Sequence, residues 1–323
     1  MALRIAHLHG QGHPHCHARR APARRARRAV VLAAAAPAAA AARPAVVVTG
    51  ASSGIGKATA ALLASKGWRV FAGVRSEAAG EELRALNPEG IEPLMIDVAS
   101  TDSVRGAAAR VAEAVGAGGL QGLVNNAGFG IFLPVEEFPE EVWASVMDVN
   151  VTGVLRATQA FLPLLRAGER RGRVVNMSSI AGSVAFPLFG AYAASKHALE
   201  AMSDALRFEL MPQGIPVTIV KPGPVVTDIW ARARRGSDAA VELGPEARAR
   251  YGDLVDKTRQ LTEDSEATGI PADGVAAVVL EALTARSPRS RVVVGTTAPA
   301  VQVLRRLLPD WIFNRMIANY YKI

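Results

Sequence analysis

The chain has 323 residues, a formal net charge of +8 and a single cysteine. One cysteine excludes an intramolecular disulfide framework and any metal or iron–sulfur site built on several thiolates. Half of the residues are hydrophobic and a fifth are charged, which is typical of a packed globular protein and excludes a disordered one. No stretch approaches the roughly 20 strongly apolar residues that span a bilayer, so no transmembrane segment is expected.

The excess positive charge lies in an N-terminal leader, residues 1–44. This leader has eight Arg, no Lys and no acidic residue, and the 29 basic residues of the remaining chain balance its 29 acidic residues. The body therefore offers no basic excess to a phosphate backbone, and no nucleic-acid partner is expected. Five histidines and Cys16 also lie in the leader without an acidic or second thiolate ligand, so we expect no functional metal site.

The leader permits several interpretations. An Arg-rich segment without acidic residues is typical of an organelle transit peptide, which directs a protein to a plastid or mitochondrion. A secretory signal fits less well, because the apolar stretch 30–42 is mostly Ala and contains Pro37. A disordered extension, or a start codon placed too far upstream, is the third interpretation and leaves the protein cytoplasmic.

The body alternates short apolar segments with helical segments. Residues 45–48 are apolar and mostly β-branched, a Gly-rich turn covers 49–56, and the Ala- and Leu-rich segment 57–66 predicts a helix. This alternation continues to the end of the body and predicts an α/β fold: a doubly wound, parallel, seven-stranded sheet (Rossmann fold) in a single domain over 45–297. The strands are predicted at 45–48, 69–72, 94–96, 123–124, 174–175, 217–220 and 292–294, and the further helices at 103–115, 140–165, 194–210 and 272–283.

The Gly-rich turn after the first strand has the composition of a dinucleotide-binding loop. Gly50 permits a tight turn off the strand, and Gly54 and Gly56 let a ligand and the sheet approach the helix backbone closely. The free N–H groups at the start of the helix then face a pyrophosphate. The spacing G-x-x-x-G-x-G differs from the G-x-G-x-x-G of the commonest dinucleotide-binding fingerprint. The interpretation therefore depends on the position of the turn between a strand and a helix.

The body contains four motifs in chain order: Thr-Gly-x-x-x-Gly-Ile-Gly at 49–56, Asn-Asn-Ala-Gly at 125–128, Ser179 with Tyr192 and Lys196, and Lys-Pro-Gly at 221–223 with Thr227. These motifs resemble the signatures of the short-chain dehydrogenases/reductases. The resemblance covers about residues 44–296 and implies a Rossmann-fold oxidoreductase that uses a nicotinamide cofactor. A weaker resemblance through 203–210 indicates the retinol and steroid dehydrogenase branch of the family.

The resemblance also implies which residues hold the cofactor. Asp97 is expected near the adenine and residues 126–128 beneath the cofactor; alternatively, Asp97 lies next to a helix N-terminus and has no ligand role. The expected cofactor residues other than Arg75 are Gly50, Ser52, Ser53, Gly54, Ile55, Gly56, Asp97, Val98, Asn126, Ala127, Gly128, Tyr192, Lys196, Pro222, Gly223, Val225 and Thr227.

The end of the second strand bears on the choice between NAD(H) and NADP(H). An NAD enzyme generally places an acidic residue there, about 20 residues past the glycine loop, to bind the ribose 2′-OH. Val74 takes that position here, and Arg75 follows it with no acid before Glu77. An Arg can pair with a 2′-phosphate, so we expect Arg75 to bind it and NADP(H) to be favoured. The alternative is a solvated loop Arg.

Tyr192 and Lys196 lie four residues apart and therefore on one helix face. A carbonyl that accepts hydride needs a proton on its oxygen, and phenol, with a pKa of about 10, is a weak donor. A neighbouring ammonium lowers that pKa, so Lys196 is expected to make Tyr192 the general acid, or the base in the oxidative direction.

Two further side chains complete the expected catalytic set. Ser179 ends a predicted strand thirteen residues before Tyr192, and the resemblance implies that it, and not Ser178, hydrogen-bonds the substrate oxygen. Asn150 resembles the family residue that holds a water linking Lys196 to solvent; a helix Asn bonded to its local backbone is the alternative. The expected reaction is hydride transfer between the nicotinamide C4 and a carbonyl or alcohol carbon.

Apolar side chains near the expected site predict a hydrophobic carbonyl or alcohol substrate, such as a retinoid, a steroid or a long-chain aldehyde or ketone. Each of them is alternatively a plain core residue. Segment 228–268 is charged and rich in Gly and Ala, which predicts a mobile lid. The pocket candidates are Phe129, Ile131, Phe132, Phe186, Leu188, Phe189, Val225, Val226, Ile229 and Trp230.

Two segments predict contacts beyond the site. Small residues along helix 194–210 permit close helix packing and predict a homodimer or homotetramer, with packing inside one subunit as the alternative. The tail 298–323 is amphipathic, although Pro309 interrupts it, and is expected to cover the pocket or a neighbouring subunit. Peripheral contact with a membrane surface is the other interpretation of the tail.

Three functions compete for this sequence. An NADP(H)-dependent carbonyl reductase or alcohol dehydrogenase explains all four motifs. An NAD(P)-binding regulatory protein without turnover generally lacks the Tyr, Lys or Ser that this chain retains. A nucleic-acid-binding protein is supported by the Arg-rich leader alone.

Overall fold

The computed structural model describes residues 43–168, 171–240 and 242–323, which belong to one compact unit. The leader predicted at 1–44 thus lies outside the described residues except for its last two positions. The strands are β1 (Ala45–Val48), β2 (Arg69–Val74), β3 (Ile91–Met95), β4 (Gly122–Asn125), β5 (Arg173–Met177), β6 (Val217–Pro222), β7 (Val225–Val226), β8 (Ile270–Pro271) and β9 (Arg291–Val294). The helices are α1 (Gly54–Ser65), α2 (Glu77–Leu86), α3 (Thr101–Val115), α4 (Glu140–Met147), α5 (Gly153–Ala167), α6 (Gly190–Leu210), α7 (Ile229–Ala240), α8 (Pro245–Thr268), α9 (Ala272–Thr284), α10 (Ala298–Leu307) and α11 (Asp310–Tyr321).

Seven of these strands form one parallel sheet in the order β3-β2-β1-β4-β5-β6-β9. The predicted doubly wound, seven-stranded α/β fold is therefore confirmed. The strand order reverses between β1 and β4, and a sheet of this kind binds its ligands in the crevice outside the carboxyl ends of the strands at that point. The segments that leave β1, β4, β5 and β6 at this edge carry the motifs found in the sequence.

The alternation of side chains along β1 explains why this strand is apolar throughout. Val46 and Val48 face a core that includes Leu63 of α1 and Val279 of α9. Ala45 and Val47 face the opposite core, which α3 and α5 complete. A parallel sheet covered by helices on both faces buries both sides of each central strand, so no polar alternation is left in the sequence.

The segment predicted as one helix over 140–165 contains an interruption. A π-helical turn, Asp148–Thr152, separates α4 from α5. A π-turn accommodates one extra residue within a continuous helix, and the apolar pattern that predicted the helix does not reveal it. The turn places Asn150 in a fully buried position.

Segment 228–268, predicted as a mobile lid, folds into α7 and α8. Arg234 of α7 pairs with Glu266 of α8 at 2.7 Å, and Glu266 also accepts a hydrogen bond from the backbone N–H of Ala231 at 2.9 Å. The short parallel pair of β7 and β8 joins the start of this segment to its end. The lid segment is thus a helical hairpin, and its mobility stays a prediction.

The C-terminal tail forms two helices, not one. Pro309 separates them, because proline has no N–H with which to continue α10. α11 packs against α8 of the lid segment, and its Phe313 and Tyr321 are buried, whereas Leu307 and Trp311 each keep 74% of their surface exposed. No helix among the described residues is long and apolar enough to cross a membrane. Cover of the pocket and contact with a membrane surface both stay predictions.

Helix α6 begins at Gly190, four residues before its predicted start. The first turn holds Gly and Ala around Tyr192 and has no apolar periodicity that would mark it in the sequence. On its outer side Ala201 and Ala205 are exposed. The predicted homodimer or homotetramer through this helix stays a prediction.

Candidate active site

The glycine loop follows β1 and its shape requires glycine at two positions. Gly50 has φ +63°, and a Cβ built on it would lie 2.7 Å from the Cα of Ala127. A Cβ on Gly56 would lie only 2.2 Å from the carbonyl oxygen of Gly50. Both contacts are with backbone atoms, which no side-chain rotation can move away. The loop and the segment after β4 are therefore packed backbone against backbone.

Hydrogen bonds of Thr49 and Asn126 join the first two motifs. The Thr49 hydroxyl accepts from the N–H groups of Asn126 at 3.0 Å and of Ala127 at 3.1 Å. The Asn126 amide donates to the carbonyl oxygens of Thr49 at 3.0 Å and Gly50 at 2.9 Å. The sequence predicted a cofactor role for Asn126 but not the structural role of Thr49, for which its place before Gly50 was the only signal.

The N-terminus of α1 fits an anionic ligand. Its N-cap residue, Ser53, is extended and makes no side-chain hydrogen bond to the helix, and no acidic residue lies in the first turn. The N–H groups that begin a helix have no partner within the helix, and together they favour a phosphate. Ser52, Ser53, Ile55 and the loop glycines thus offer donors and space suited to the pyrophosphate of a nicotinamide cofactor.

The expected adenosine side lies at the ends of β2 and β3. Arg75 is exposed directly after β2, and its guanidinium has no hydrogen bond or ion pair to the residues that the structure describes. Asp97 accepts a hydrogen bond from the N–H of Ala99 at 3.0 Å, while Ser100, not Asp97, caps α3. Val98 is buried, and a Cβ on Gly153 would lie 2.9 Å from its Cγ2.

The fourth motif reaches the glycine loop from β6. The Gly223 N–H donates to the carbonyl oxygen of Val294 at 2.7 Å, which fixes the chain just after Pro222. A Cβ on Gly54 would lie 3.1 Å from Cγ2 of Thr227, so Thr227 covers the loop. Val225, predicted as a cofactor residue, is buried in the main core.

Ser179, Tyr192 and Lys196 meet beyond the end of β5. Ser179 caps a short 3₁₀ helix, Ile180–Gly182, and its hydroxyl accepts the N–H of Ala181 at 3.1 Å. The same hydroxyl lies close enough to the phenol of Tyr192 to lower the pKa of that phenol. Lys196 is buried, donates to the carbonyl oxygen of Met177 at 2.9 Å and lies 5.6 Å from the centre of the Tyr192 ring.

Ser178 lies beneath the turn that Ser179 begins. Its Oγ is buried and has no hydrogen-bond partner among the described residues. A Cβ built on Gly182 would lie 2.7 Å from that oxygen, so the turn after Ser179 folds closely over Ser178. The structure thus brings Ser179, not Ser178, to Tyr192.

Asn150, which lies in the π-turn, is hydrogen-bonded both to the segment after β4 and to helix α6. Its Oδ1 accepts the N–H of Phe129 at 3.0 Å, and its Nδ2 donates to the Phe129 carbonyl oxygen at 2.8 Å and to Ser195 Oγ at 3.0 Å. Ser195 in turn donates to the carbonyl oxygen of Tyr192 at 2.7 Å. Asn150 makes no direct hydrogen bond to Lys196 among these contacts. A built Cβ on Gly128 would lie 3.0 Å from Asn150 Oδ1 and 3.5 Å from Lys196 Nζ, so the two groups are neighbours.

Burial shifts the pKa values of both Tyr192 and Lys196. Burial raises the pKa of Tyr192, and the hydrogen bond from Ser179 only partly opposes that rise. Burial lowers the pKa of Lys196 to about 8, while the carboxylate of Glu200 opposes the decrease. Desolvation therefore dominates the pKa of Tyr192 in this arrangement, in which the Lys196 ammonium bonds a backbone carbonyl. The lowering of that pKa by Lys196 stays a prediction.

An aromatic cluster packs beside Tyr192. The Phe132 and Phe189 rings lie 4.4 Å apart, and Trp230 of α7 lies 5.8 Å and 5.9 Å from them, respectively. Leu254 and Val255 of α8 pack against the same cluster, which also includes Phe186, Leu188, Ala233 and Tyr192. The other pocket candidates lie elsewhere: Phe129 and Ile131 pack beside α4, and Val226 is exposed.

Comparison with known proteins identifies the family. The family model described as short chain dehydrogenase matches residues 44–238. The chain belongs to the short-chain dehydrogenase family. This short-chain dehydrogenase is 34% identical over 279 residues to an NADPH-dependent 3-dehydrocapnine reductase of Ornithobacterium rhinotracheale, covering 85% of this chain and 95% of that protein. It is 36% identical over 279 residues to retinol dehydrogenase 16 of Mus musculus, covering 84% and 87%.

A solved structure agrees with this membership. The crystal structure of a short chain dehydrogenase/reductase from Burkholderia phymatum in complex with NAD has a TM-score of 0.70 and 28% identity to this short-chain dehydrogenase. The match covers 82% of this chain and 92% of that chain. The short-chain dehydrogenase is therefore an oxidoreductase that acts on CH–OH or C=O groups with a nicotinamide cofactor, and it is similar to the retinol dehydrogenases. Among its described residues no three His, Cys, Asp or Glu side chains are grouped to hold a metal.

Proposed function

We propose that the protein is an NADP(H)-dependent oxidoreductase that interconverts a hydrophobic carbonyl compound and its alcohol, with Tyr192 as proton donor and acceptor. The observation that carries the proposal is the meeting of Ser179, Tyr192 and Lys196 at the sheet edge that also bears the glycine loop. The aromatic cluster around Phe132 and Trp230 supports an apolar substrate.

The proposed roles follow from the geometry of these side chains. A bound nicotinamide supplies or accepts the hydride. Tyr192 gives its phenolic proton to the carbonyl oxygen as charge develops there, and Ser179, which lies beside that phenol, donates to the same oxygen. Lys196 holds a positive charge near the phenol and favours the phenolate that remains. The contacts of Asn150 with Phe129 and Ser195 support the frame of this site.

The substrate class is tested by a screen with purified protein. Retinal, steroid ketones and fatty aldehydes are incubated with NADPH, and the loss of NADPH absorbance is followed. The aromatic cluster predicts turnover with at least one of these apolar carbonyls and little with short polar ones. The similarity to a retinol dehydrogenase places retinal first in the series. NADPH binding without turnover of any carbonyl would instead favour the regulatory alternative.

Arg75→Ala is expected to raise the KM for NADPH by about 10- to 100-fold, since it removes charge-assisted hydrogen bonds to the 2′-phosphate. The KM for NADH is expected to stay unchanged, because that cofactor has no 2′-phosphate. Steady-state kinetics with both cofactors measure the two effects. Arg84→Ala, on the exposed face of α2, is the matched control and leaves both values at the wild-type level. A strong NADH preference that Arg75→Ala does not alter would overturn the cofactor assignment.

Carbonyl reduction is expected to decline as the pH rises through about 8, where Lys196 loses its proton. The group is a base whose pKa is lowered by burial, so it is charged below that value and neutral above it. A plot of kcat/KM against pH shows this decline as an alkaline limb. Lys196→Arg, whose guanidinium stays charged, is expected to remove the limb. A wild-type profile that stays flat up to the ordinary lysine value of 10.5 contradicts the assignment.

A further inference from the structure

A buried ion pair lies one helical turn beyond Lys196. Glu200 of α6 and Lys221 of β6 approach to 3.2 Å between Oε1 and Nζ, and their side chains expose only 10% and 2% of their surfaces. Arg291 of β9 donates to the other oxygen of Glu200 at 2.9 Å. The proposed mechanism uses none of these three residues.

The pair connects three parts of the active site. Lys221 also donates to the hydroxyl of Ser183, which ends the 3₁₀ turn that Ser179 begins. Lys221 directly precedes Pro222 and Gly223, which are expected to contact the cofactor. A Cβ built on Gly182 of the same turn would lie 3.1 Å from both Cγ of Glu200 and the carbonyl oxygen of Lys196. The turn thus rests directly on the helix at Glu200.

The charges around Glu200 come from every element that packs there. Lys196, Asp204 and Arg207 lie along α6, Lys221 comes from β6 and Arg291 from β9; Asp204 pairs with both Arg207 and Arg291. The Glu200 carboxylate is the anion that acts on both lysines, since it raises the pKa of Lys196 and of Lys221 against the effect of burial.

Burial of such a pair needs a reason other than stability. Removing two charges from water is costly, and apolar residues of similar volume often stabilise a protein as well or better. Lys221 is also the one charged residue of the buried strand Val217–Pro222 and lies at the sheet edge that bears the site. A buried ion pair at this place is better explained by the fixed geometry that it imposes.

We propose that Glu200 and Lys221 are positioning residues, which hold the Ser179 turn, the Pro222–Gly223 segment and the Lys196 ammonium in one arrangement. The inference rests on the proposed oxidoreductase function for the roles of Ser179 and Lys196. Neither residue is assigned a contact with the substrate, and both act through their neighbours.

The test compares full-length wild type with Glu200→Gln, Lys221→Arg and the double variant Lys221→Met/Glu200→Met. The double variant leaves neither member of the pair charged and unpartnered, so it is expected to keep a melting temperature close to that of the wild type. Its kcat for carbonyl reduction is expected to fall about tenfold or more through misplacement of the reacting groups, with a smaller change in KM. Lys221→Arg keeps the charge and is expected to restore most of kcat.

The pH profile separates positioning from a merely structural role. Glu200→Gln removes the anion that raises the pKa of Lys196, so the alkaline limb of kcat/KM is expected to move to lower pH. Glu92→Gln is the matched control: it weakens an ion pair with Arg69 on β2 and β3, at the opposite end of the strands, and leaves kcat and the limb unchanged. Wild-type kcat in the double variant, or an unmoved limb in Glu200→Gln, overturns the proposal. An equal loss in Glu92→Gln overturns it too.

NADPH affinity distinguishes this inference from the function on which it rests. Because Lys221 precedes Pro222–Gly223, the double variant is expected to bind NADPH about fivefold more weakly than the wild type, measured by the fluorescence of the bound cofactor. A wild type without turnover contradicts the proposed function, and this affinity then decides the inference. If the double variant does not fold, the NADPH affinity of Glu200→Gln, which keeps the shape of the side chain, is compared with that of the wild type instead. Unchanged NADPH affinity together with no turnover overturns the inference.

Discussion

Tyr192→Phe is expected to reduce kcat by about 10²- to 10⁴-fold, the range that a positioned general acid contributes. The substitution removes one hydroxyl and leaves the ring packed against the aromatic cluster that includes Phe132 and Phe189, so the fold is expected to persist. Burial raises the pKa of Tyr192, so the phenol is protonated at neutral pH before the substrate binds. The loss is therefore expected in the chemical step and not in the binding of NADP(H), whose glycine loop the hydroxyl does not touch.

Two measurements separate these effects. Single-turnover reduction of the best carbonyl in the screen reports the chemical step, and titration with NADPH reports binding. Tyr320→Phe is the matched control, because Tyr320 lies on α11 with 58% of its surface exposed, and it is expected to behave as wild type. If Tyr192→Phe kept more than about a tenth of the wild-type rate, Tyr192 would not be the proton donor.

Gly56→Ala is expected to destabilise the protein by about 3 kcal/mol or more and to abolish NADP(H) binding. The new Cβ would lie 2.2 Å from the carbonyl oxygen of Gly50 and 2.5 Å from Nδ2 of Asn126. Inserting a methyl group into a packed interior ordinarily costs about 1–3 kcal/mol, and here the main overlap is with backbone that side-chain motion cannot relieve. The loop must then move, which also disrupts the hydrogen bonds of Asn126 to Thr49 and Gly50.

Gly106→Ala is the matched control for this substitution. Gly106 lies inside α3, and nothing lies within 4 Å of a Cβ built there. Alanine in a helix interior is favoured over glycine by up to about 1 kcal/mol, so this variant is expected to be equally or slightly more stable. Urea denaturation gives both free energies of unfolding. Equal stability and equal NADPH affinity in Gly56→Ala and Gly106→Ala would show that the loop tolerates a side chain.

The sheet was predictable because its strands are buried on both faces. Val46 and Val47 pack into different cores, so the whole of β1 is apolar and stands out against the Gly-rich turn that follows. The π-turn at Asn150 was not predictable, because helical residues continue on both sides of it and no residue type marks the extra position. The pairing of β7 with β8 was missed as well, since two-residue strands have too few side chains to show alternation.

The candidate site also has parts that the sequence could predict and parts that it could not. Ser179, Tyr192 and Lys196 could be named because their order and spacing form a motif. The partner of Lys196, the carbonyl oxygen of Met177, could not, because backbone acceptors have no signal in a sequence. The burial that raises the pKa of Tyr192 could not be predicted either, since the cluster beside its ring includes residues of α7 and α8, which are far away along the chain.

The π-turn changes the direction in which the apolar faces of α4 and α5 point around their common axis. Each residue turns the direction of a side chain by about 100° around the helix axis, so one extra residue rotates everything after it by that amount. Before the turn, Val146 faces Ile131 and Ala191, next to the site; after it, Ala157 and Phe161 face the sheet. One nearly continuous helix can thus pack into two apolar clusters that lie on different sides of it. Asn150 lies in the turn where the direction of the apolar face changes.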